Sequence, residues 1–345
     1  MLRFFRQIRQ NLLTENKFGK YLLYVIIEVF IVIIGILIAI RVDNRNEERI
    51  GAESTNILLQ DVSDELVHNI ENIDRILNTM IFKDSLFFEV LEKRIEHEDY
   101  EASSILFGFP AMYDRTSLVD EDFRELLARK NNLTKLQDSI FSELKDLYGK
   151  RKKNIDIDDE TTHNTQIDFR DKMMNEQAWW SVYMENGLTE EMIQYALTDP
   201  FYRNQLHEIR FREYWRTMGL FWFRTKALNL YEEITEMLKI EKDTSLVKDI
   251  KDFEHIKGIY EYGEYKVHII GKNEWKANFF KNDSMLQEWD IHPYSKSHLI
   301  NYMQAKGEHI FSKIEYGRNG EVLGLVSFGD MTEVDGKRRM WKKIE

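Results

Sequence analysis

The sequence contains no cysteine and only three prolines in 345 residues. Without cysteine, the chain can form no disulfide, no thiolate nucleophile and no cysteine-ligated metal site. Proline removes a backbone donor and clashes with the preceding helical turn, so its scarcity favours long, uninterrupted helices. Glycine is also sparse, with 16 residues, and no glycine-rich phosphate-binding loop occurs. A cysteine-free chain is compatible with an oxidising periplasm.

Positive charge is in deficit beyond the first 40 residues. The whole chain has a net charge of −12, and because residues 1–40 carry +3, residues 41–345 carry −15. Nucleic-acid binding requires clustered positive charge, so this acidic body argues against a nucleic-acid partner. Charged residues make up 31% and hydrophobic residues 43%, which is typical of a globular chain.

Motifs of catalytic and metal centres are missing as well. The nine histidines form neither a His-Glu-x-x-His nor a His-x-His spacing, so we expect no metal site. No Gly-x-Ser-x-Gly motif occurs. The carboxylate pair Asp158–Asp159 is interpreted as lying in a solvated loop, and the pair Glu190–Glu191 as lying in a helix cap. We therefore predict no enzyme activity, no catalytic or metal-binding residues and no cofactor; an active site assembled from distant residues is the minor alternative.

One long hydrophobic run lies near the start of the sequence, at residues 21–40. As a helix, twenty residues span about 30 Å, the thickness of the hydrocarbon layer of a membrane. The run is longer than the core of a cleavable signal peptide and has no small-x-small cleavage site. We interpret it as an uncleaved transmembrane anchor, and a buried helix of a soluble protein is the alternative.

The flanking residues predict the orientation of this anchor. Five basic residues precede it within twenty positions, and three follow it closely. Because Lys and Arg are enriched on the cytoplasmic side, we predict a cytoplasmic N-terminus and a periplasmic soluble part, in a single pass through a bacterial inner membrane. Residues 1–20 are predicted to form a basic amphipathic segment on the lipid surface. Its basic residues are Arg3, Arg6, Arg9, Lys17 and Lys20.

A glutamate lies inside the hydrophobic run, where a charge is costly. Glu28, Val32, Gly35 and Ala39 fall on one helical stripe. The Gly35-x-x-x-Ala39 spacing is a small-xxx-small pattern that lets two helices approach closely. One interpretation is that Glu28 is protonated or snorkels to the cytoplasmic face. The other is a packing face for a second transmembrane helix, from another copy or from another membrane protein.

The anchor contains the motifs KYLLY at residues 20–24 and GILIAI at residues 35–40, followed by a polar exit at residues 43–48. With these motifs, roughly the first fifty residues resemble an uncharacterised family of single-pass inner-membrane proteins of Gram-negative bacteria. Ile27 and Arg45 stand where that family often has glycine and tryptophan. The resemblance implies a membrane location and no particular activity. The matching residues are Lys20, Tyr21, Leu22, Leu23, Tyr24, Glu28, Gly35, Ile36, Leu37, Ile38, Ala39, Asn44, Asn46 and Glu47.

Residues 41–240 have mainly helical periodicity. An apolar stripe predicts that the anchor helix continues outward to about Tyr100 as a stalk. A further long helix is expected from an Asp199-Pro200 start to about Ile240. About five helices in all are predicted to pack as an antiparallel bundle, with the polar stretch 155–165 as a loop or a weak cap. The stripe residues of the stalk are Leu59, Val62, Leu66, Ile70, Ile73, Leu77 and Met80.

The helix after Asp199 carries aromatic and basic side chains. The aromatic stripe from Phe211 to Trp222 is interpreted as core rather than as a cofactor site. Its arginines are expected to pair with nearby carboxylates rather than to bind an anion. These arginines are Arg203, Arg210, Arg212, Arg216 and Arg224.

The periodicity changes to short, β-branched and aromatic segments after a charged linker at residues 241–257. Six to eight antiparallel strands are expected in residues 258–345, forming a small meander or half-barrel. Asn319-Gly320 predicts a hairpin and Asp335-Gly336 another tight turn. This part loosely resembles a small lipocalin-like accessory β domain of exported bacterial hydrolases, which implies a non-catalytic, non-cytoplasmic module. The matching residues are Gly258, Tyr260, Phe311, Asn319, Gly320, Val322, Gly324, Leu325, Lys342, Lys343 and Ile344.

The predicted fold class is therefore α+β, with a transmembrane helix, a long-helix bundle and a small β domain. We expect a membrane-anchored periplasmic scaffold or binding protein without catalytic activity, oligomeric or part of an envelope complex. Its expected partners are the lipid bilayer and a second transmembrane helix. A ligand sensor that relays a signal through a partner protein is the alternative.

Overall fold

The computed structural model describes residues 18–130, 133–246, 250–271, 275–295, 297–303, 308–327 and 340–345. In these residues the protein is α+β, as predicted, with a long apolar N-terminal helix, further helices and a C-terminal antiparallel barrel. The basic residues Arg3, Arg6, Arg9 and Lys17 lie outside the described residues, as does the predicted turn at Asp335-Gly336.

Helix α1, Phe18–Leu91, contains 74 residues, which corresponds to about 110 Å. Its first part is long and apolar enough to cross a membrane, and none of that part is buried. From Thr55 onward one stripe of α1 is buried, and the predicted residues from Leu59 to Met80 are at most 3% exposed. The helix ends at Leu91, before the predicted end near Tyr100, because the chain turns at Lys93 with φ +56°.

In the described part of the chain, eight further α-helices follow α1, and the longest of them is α9 (Pro200–Leu238). Helix α9 returns antiparallel along α1, since Asp84 contacts Arg210 and Asp74 contacts Arg224. Its start is as predicted, because the Asp199 carboxylate accepts hydrogen bonds from the first turn. The helices are α2 (His97–Ala102), α3 (Ile105–Gly108), α4 (Glu121–Arg129), α5 (Lys135–Lys145), α6 (Lys152–Glu176), α7 (Trp180–Asn186), α8 (Glu190–Thr198) and α9 (Pro200–Leu238).

The segment 112–119 runs along α1 without forming a helix. Several of its backbone groups bond to a polar stripe of α1 instead. Asn69 donates to the Val119 carbonyl at 2.8 Å and accepts from its N–H at 2.9 Å, and Asn72 donates to the Ser117 carbonyl at 2.6 Å. The buried Asn69 amide and the backbone groups of Val119 satisfy each other's hydrogen bonds. A buried backbone group without a partner would cost free energy.

The predicted loop at residues 155–165 is wrong, because the whole stretch belongs to α6. A π-helical turn, Asp146–Arg151, carries the chain past Gly149 without a break. Asp and Thr usually favour turns, but Ile155, Asp159 and Thr162 fall on one buried face of α6. Asp159 is therefore buried in a helix and paired with Arg216, not part of a solvated loop.

The interpretation of the aromatic stripe of α9 as core is wrong for two of its members. Phe211 is 44% and Trp215 is 52% exposed. They share a face of α9 opposite the face that carries Thr217 and Phe221, which packs against α1 and the barrel. Trp222, further along the exposed side, is partly covered by the Arg151 guanidinium at 4.1 Å from its ring.

Eight antiparallel strands form a closed barrel in sequential order. Strand β1 pairs with β8 through Tyr260 and Lys343, so the predicted half-barrel is corrected to a full one, which leaves no open sheet edge. The predicted hairpin turn at Asn319-Gly320 joins β6 to β7, with Gly320 at φ +83°. The strands are β1 (Gly258–Tyr262), β2 (Tyr265–Gly271), β3 (Trp275–Lys281), β4 (Ser284–Ser295), β5 (His298–Met303), β6 (Glu308–Tyr316), β7 (Val322–Ser327) and β8 (Met340–Lys343).

Candidate functional site

The barrel contains a cavity of about 410 Å³. It occupies the half of the lumen next to the β1–β2 and β3–β4 turns, where Tyr262, Tyr265 and Phe279 line it and are partly exposed. The other half of the lumen is filled by buried side chains. These include Tyr260, Trp275, Ile291, Leu299 and Ile314. The cavity therefore has a packed floor and a partly exposed aromatic rim.

The wall of the cavity is mainly apolar. Val267, Ile269 and Ala277 form part of it, because alternate residues of each strand face the lumen. Among the described residues that line the cavity there is no Asp, Glu, Lys, Arg or His. Lys281 donates to the Tyr265 hydroxyl at 3.3 Å but is not a lining residue; its side chain is 38% exposed and pairs with Glu264 at 2.7 Å. Apolar molecules without charge match such a wall.

Two polar side chains lie on the inner wall of β5 and β6. Asn301 and Ser312 are 6% and 5% exposed and line the cavity. The Asn301 amide nitrogen donates to the Ile310 carbonyl at 3.1 Å and to the Ser312 hydroxyl oxygen at 2.8 Å. Both amide hydrogens are therefore used, whereas the Asn301 Oδ1 accepts no hydrogen bond from a described residue.

The outer faces of β4, β5 and β6 rest on α9 and join the core of the helices. The Phe311 ring stacks on Phe221 with a centroid distance of 4.2 Å, and Tyr294 packs edge-on against both rings. Arg224 binds both carboxylate oxygens of Asp74 at 2.5 and 3.0 Å and lies over the Tyr294 ring. The strands that line the cavity are thus connected to α1, whose first part is long and apolar enough to cross a membrane.

Two histidines lie near this contact between the barrel and the helices. His298 stacks on Phe311 with a centroid distance of 5.1 Å. Burial lowers the pKa of His298 to about 4, and the neighbouring Lys313 acts in the same direction. Burial also lowers the pKa of His292. Both imidazoles are therefore neutral at neutral pH, which suits their apolar surroundings.

Buried charges between α1, α6 and α9 are paired. Lys83 contacts the Glu213 carboxylate, which also accepts from the Gln166 amide at 2.8 Å. Arg216 lies 2.8 Å from Asp159. The predicted pairing of arginines with carboxylates is confirmed for Arg210, Arg212, Arg216 and Arg224, whereas Arg203 donates to the Leu91 carbonyl. Apart from Arg212, which pairs with Glu208 within α9, these pairs join side chains of two different helices.

The residues predicted for helix packing in the membrane lie on one exposed stripe of α1. Glu28, Val32, Gly35 and Ala39 are all exposed, and no described atom outside the helix lies within 4 Å of a Cβ built on Gly35. The stripe is therefore available, and its partner stays a prediction. Lys20 lies in the first turn of α1.

The barrel cavity and the polar pair that lines it, Asn301 and Ser312, were not predicted from the sequence. A signal was present, because Asn301 and Ser312 alternate in phase with Leu299 and Ile314 on strands whose inner face is apolar. Polar residues in an apolar phase indicate either an internal hydrogen bond or a ligand contact. Within the described ranges no cluster of histidines and carboxylates could hold a metal.

Comparisons of the chain with protein-family models, with curated proteins and with solved structures found no match. The functional interpretation therefore depends on the geometry of the barrel and of α1.

Proposed function

We propose that this protein is a non-catalytic, membrane-anchored binding protein whose barrel holds a small, largely apolar molecule. The observation that carries the proposal is a mainly apolar cavity, with no charge among its described lining residues, inside a closed eight-stranded barrel. A barrel of eight strands is wide enough to hold one small ligand when side chains do not fill it. Concave, mostly apolar sites with a few placed polar groups are the usual form of small-molecule sites.

The anchor and the helices would position this module away from the membrane. In our proposal, residues 21–40 span a bacterial inner membrane with the N-terminus in the cytoplasm, and the helices form a scaffold in the periplasm. Asp74, which contacts the barrel through Tyr294, lies 34 residues beyond Ile40 in the same helix. That separation corresponds to about 50 Å. The barrel would therefore act well outside the lipid, within an envelope complex.

Filling part of the cavity should weaken the binding of an apolar probe. Ala277 is 2% exposed and faces the cavity, so Ala277→Phe would place a ring inside it. We expect the full chain in nanodiscs to bind anthracene, detected by energy transfer from tryptophan such as Trp341 on the cavity wall. Ala277→Phe should weaken this binding at least about tenfold, because the probe and the new ring compete for one space.

The matched control adds a ring to the outside of the same barrel. Ile270 is 50% exposed, so Ile270→Phe should leave anthracene binding unchanged. Empty nanodiscs report the background from lipid. If a folded Ala277→Phe variant, checked by circular dichroism, binds anthracene as well as the original chain, the cavity is not the binding site.

A ligand sensor that relays a signal through a partner is the second candidate function. Strands β5 and β6 line the cavity with Asn301 and Ser312 and contact α9 through Phe311 on the opposite face. The Arg224–Asp74 pair then fixes α9 to α1. A ligand that shifts these two strands would therefore act on α1, and this connection is the observation that supports a relay as the second candidate.

Gly35→Leu should reduce association of the anchor with other helices. A leucine at this position blocks the close approach that a small-xxx-small face permits. Because the chain has no cysteine, a single cysteine at exposed Val42 can report contacts by crosslinking in native membranes. We expect the yield of crosslinked dimer or partner adduct to fall several-fold in Gly35→Leu. Ile33→Leu, on another face of the helix, is the control; equal yields in both variants would rule out the packing face.

A further inference from the structure

We infer that the ligand of the barrel is an uncharged, mainly apolar molecule with a hydroxyl or carboxamide group, which Asn301 and Ser312 recognise inside the cavity. This inference rests on the proposed binding function and adds the chemical class of the ligand. It is carried by the unused hydrogen-bonding atoms of these two residues and by the absence of charge on the described cavity wall.

Apart from this pair, the polar groups of the described cavity lining are Gln287 and the polar atoms of Tyr262, Tyr265 and Trp341. Asn301 and Ser312 lie on neighbouring strands and face inward, in phase with Leu299 and Ile314. Burying polar groups there costs free energy unless their hydrogen bonds are made. The pair makes two bonds within the barrel wall, to Ile310 and between its own members. The hydrogen-bonding atoms that Asn301 and Ser312 leave unused therefore determine which polar group of a ligand this pair can bind.

The hydrogen bonds that Asn301 and Ser312 make within the barrel wall leave the pair with one unused donor and one unused acceptor. The bond to the Ile310 carbonyl identifies the nitrogen of the Asn301 amide, because a carbonyl can only accept. Both N–H groups are used, so Oδ1 remains as an acceptor. The Ser312 oxygen accepts from Asn301, so its hydrogen remains as a donor. Neither group has a further partner in the described part of the chain.

A complementary ligand group must both donate and accept. Alcohols and amides do so, since the group donates to Asn301 Oδ1 and accepts from the Ser312 hydroxyl. Water can do the same in the empty barrel and is displaced without loss by a ligand that reproduces its bonds. A pure hydrocarbon would leave both atoms unpaired and would bind more weakly.

Charged ligands do not match this wall. A carboxylate entering the cavity would lose hydration without gaining a cation among the described lining residues, and it cannot donate to Asn301 Oδ1. An ammonium group would find no carboxylate among the described lining residues. The geometry therefore selects a neutral amphiphile whose polar group enters the lumen, while the aromatic rim at Tyr262, Tyr265 and Phe279 contacts its apolar part.

The test measures displacement of anthracene from the full chain in nanodiscs at pH 8 by octanamide, 1-octanol and octanoate. We expect octanamide and 1-octanol to bind at least about tenfold more tightly than octanoate. Ser312→Ala should weaken octanamide and 1-octanol about 3- to 10-fold, the effect of one hydrogen bond. Ser312→Thr keeps the hydroxyl and should retain the preference. Anthracene has no polar atom, so its own binding should be the same in all three proteins.

The outcomes separate the ligand class from the binding function. If the original chain does not bind anthracene, the proposed binding function fails. If anthracene binds but octanoate competes as well as octanamide, or Ser312→Ala retains full affinity for octanamide, the ligand class is wrong and the binding function stands. Should Ser312→Ala lose anthracene binding through misfolding, the octanamide-to-octanoate ratio in the original chain still decides. Lowering the pH through the carboxyl pKa of octanoic acid should also tighten its binding, because the neutral acid can donate and accept.

Discussion

The Lys83→Met variant is expected to lose about 3–5 kcal/mol of unfolding free energy, because it leaves a buried carboxylate without its cation. The side chains of Lys83 and Glu213 are 2% and 8% exposed. The Lys83 ammonium also donates to the Met112 carbonyl at 2.5 Å, which ties the segment 112–119 to α1. After substitution, only the Gln166 amide remains to stabilise the Glu213 charge. Urea unfolding of the full chain, followed by circular dichroism in mild detergent, measures the loss.

A double variant and an exposed pair serve as controls for this effect. Lys83→Met combined with Glu213→Leu removes both charges and should recover most of the lost stability, as found when a buried ion pair is replaced by apolar residues. Arg49→Met removes one member of the pair with Glu53, in which both side chains are more than 60% exposed, and should change stability little. A Lys83→Met variant no less stable than Arg49→Met would show that the buried pair does not hold α1 to α9.

The long elements of this fold could be predicted because their signals are local. The stripe from Leu59 to Met80 has helical spacing over six turns and is buried along its whole length. Thr189 and Asp199 lie at helix starts, where their side chains accept hydrogen bonds from N–H groups of the following turn. Spacing and capping depend on residues that are close in sequence, so no knowledge of tertiary structure is needed to recognise them.

Errors arose where the covering element comes from far along the chain. The stretch 155–165 is polar in composition, but α9 arrives to pair Asp159 with Arg216 and so makes a buried helical face. Phe211 and Trp215 have the spacing of a core stripe, yet the neighbours of α9 lie on its other faces. A sequence pattern shows which residues share a face, and only the tertiary structure shows whether that face is covered.

The cavity of the barrel could not be predicted, for a related reason. Alternation and turns indicated the strands, but a lumen exists only because β1 and β8, from opposite ends of the domain, pair through Tyr260 and Lys343. Without closure, Asn301 and Ser312 would be ordinary polar residues of a sheet. With closure, their side chains face an apolar interior, and their unused hydrogen-bonding atoms become a property of the site.

The Phe311→Ala variant should destabilise the contact between the barrel and the helices by about 3–5 kcal/mol. Phe311 is 1% exposed and packs against Phe221, Tyr294 and His298. Alanine leaves a cavity between β6 and α9 and removes the aromatic stacking. Urea unfolding measures the loss of stability, and limited proteolysis of residues 241–257 should become faster because the barrel is held less firmly against α9.

Phe280→Ala is the matched control, since Phe280 lies on the outer face of β3, is only partly buried and contacts His268. It should cost less than half as much and leave proteolysis unchanged.

The same pair of variants distinguishes the two functional candidates. If the barrel only binds, Phe311→Ala keeps anthracene affinity, and ligand does not alter crosslinking at the anchor in any variant. If the barrel relays binding to α1, ligand changes crosslinking in the original chain and in Phe280→Ala but not in Phe311→Ala, because the stacked rings Phe221 and Phe311 join the cavity wall to α9. Equal stability of Phe311→Ala and Phe280→Ala would contradict this role for the contact.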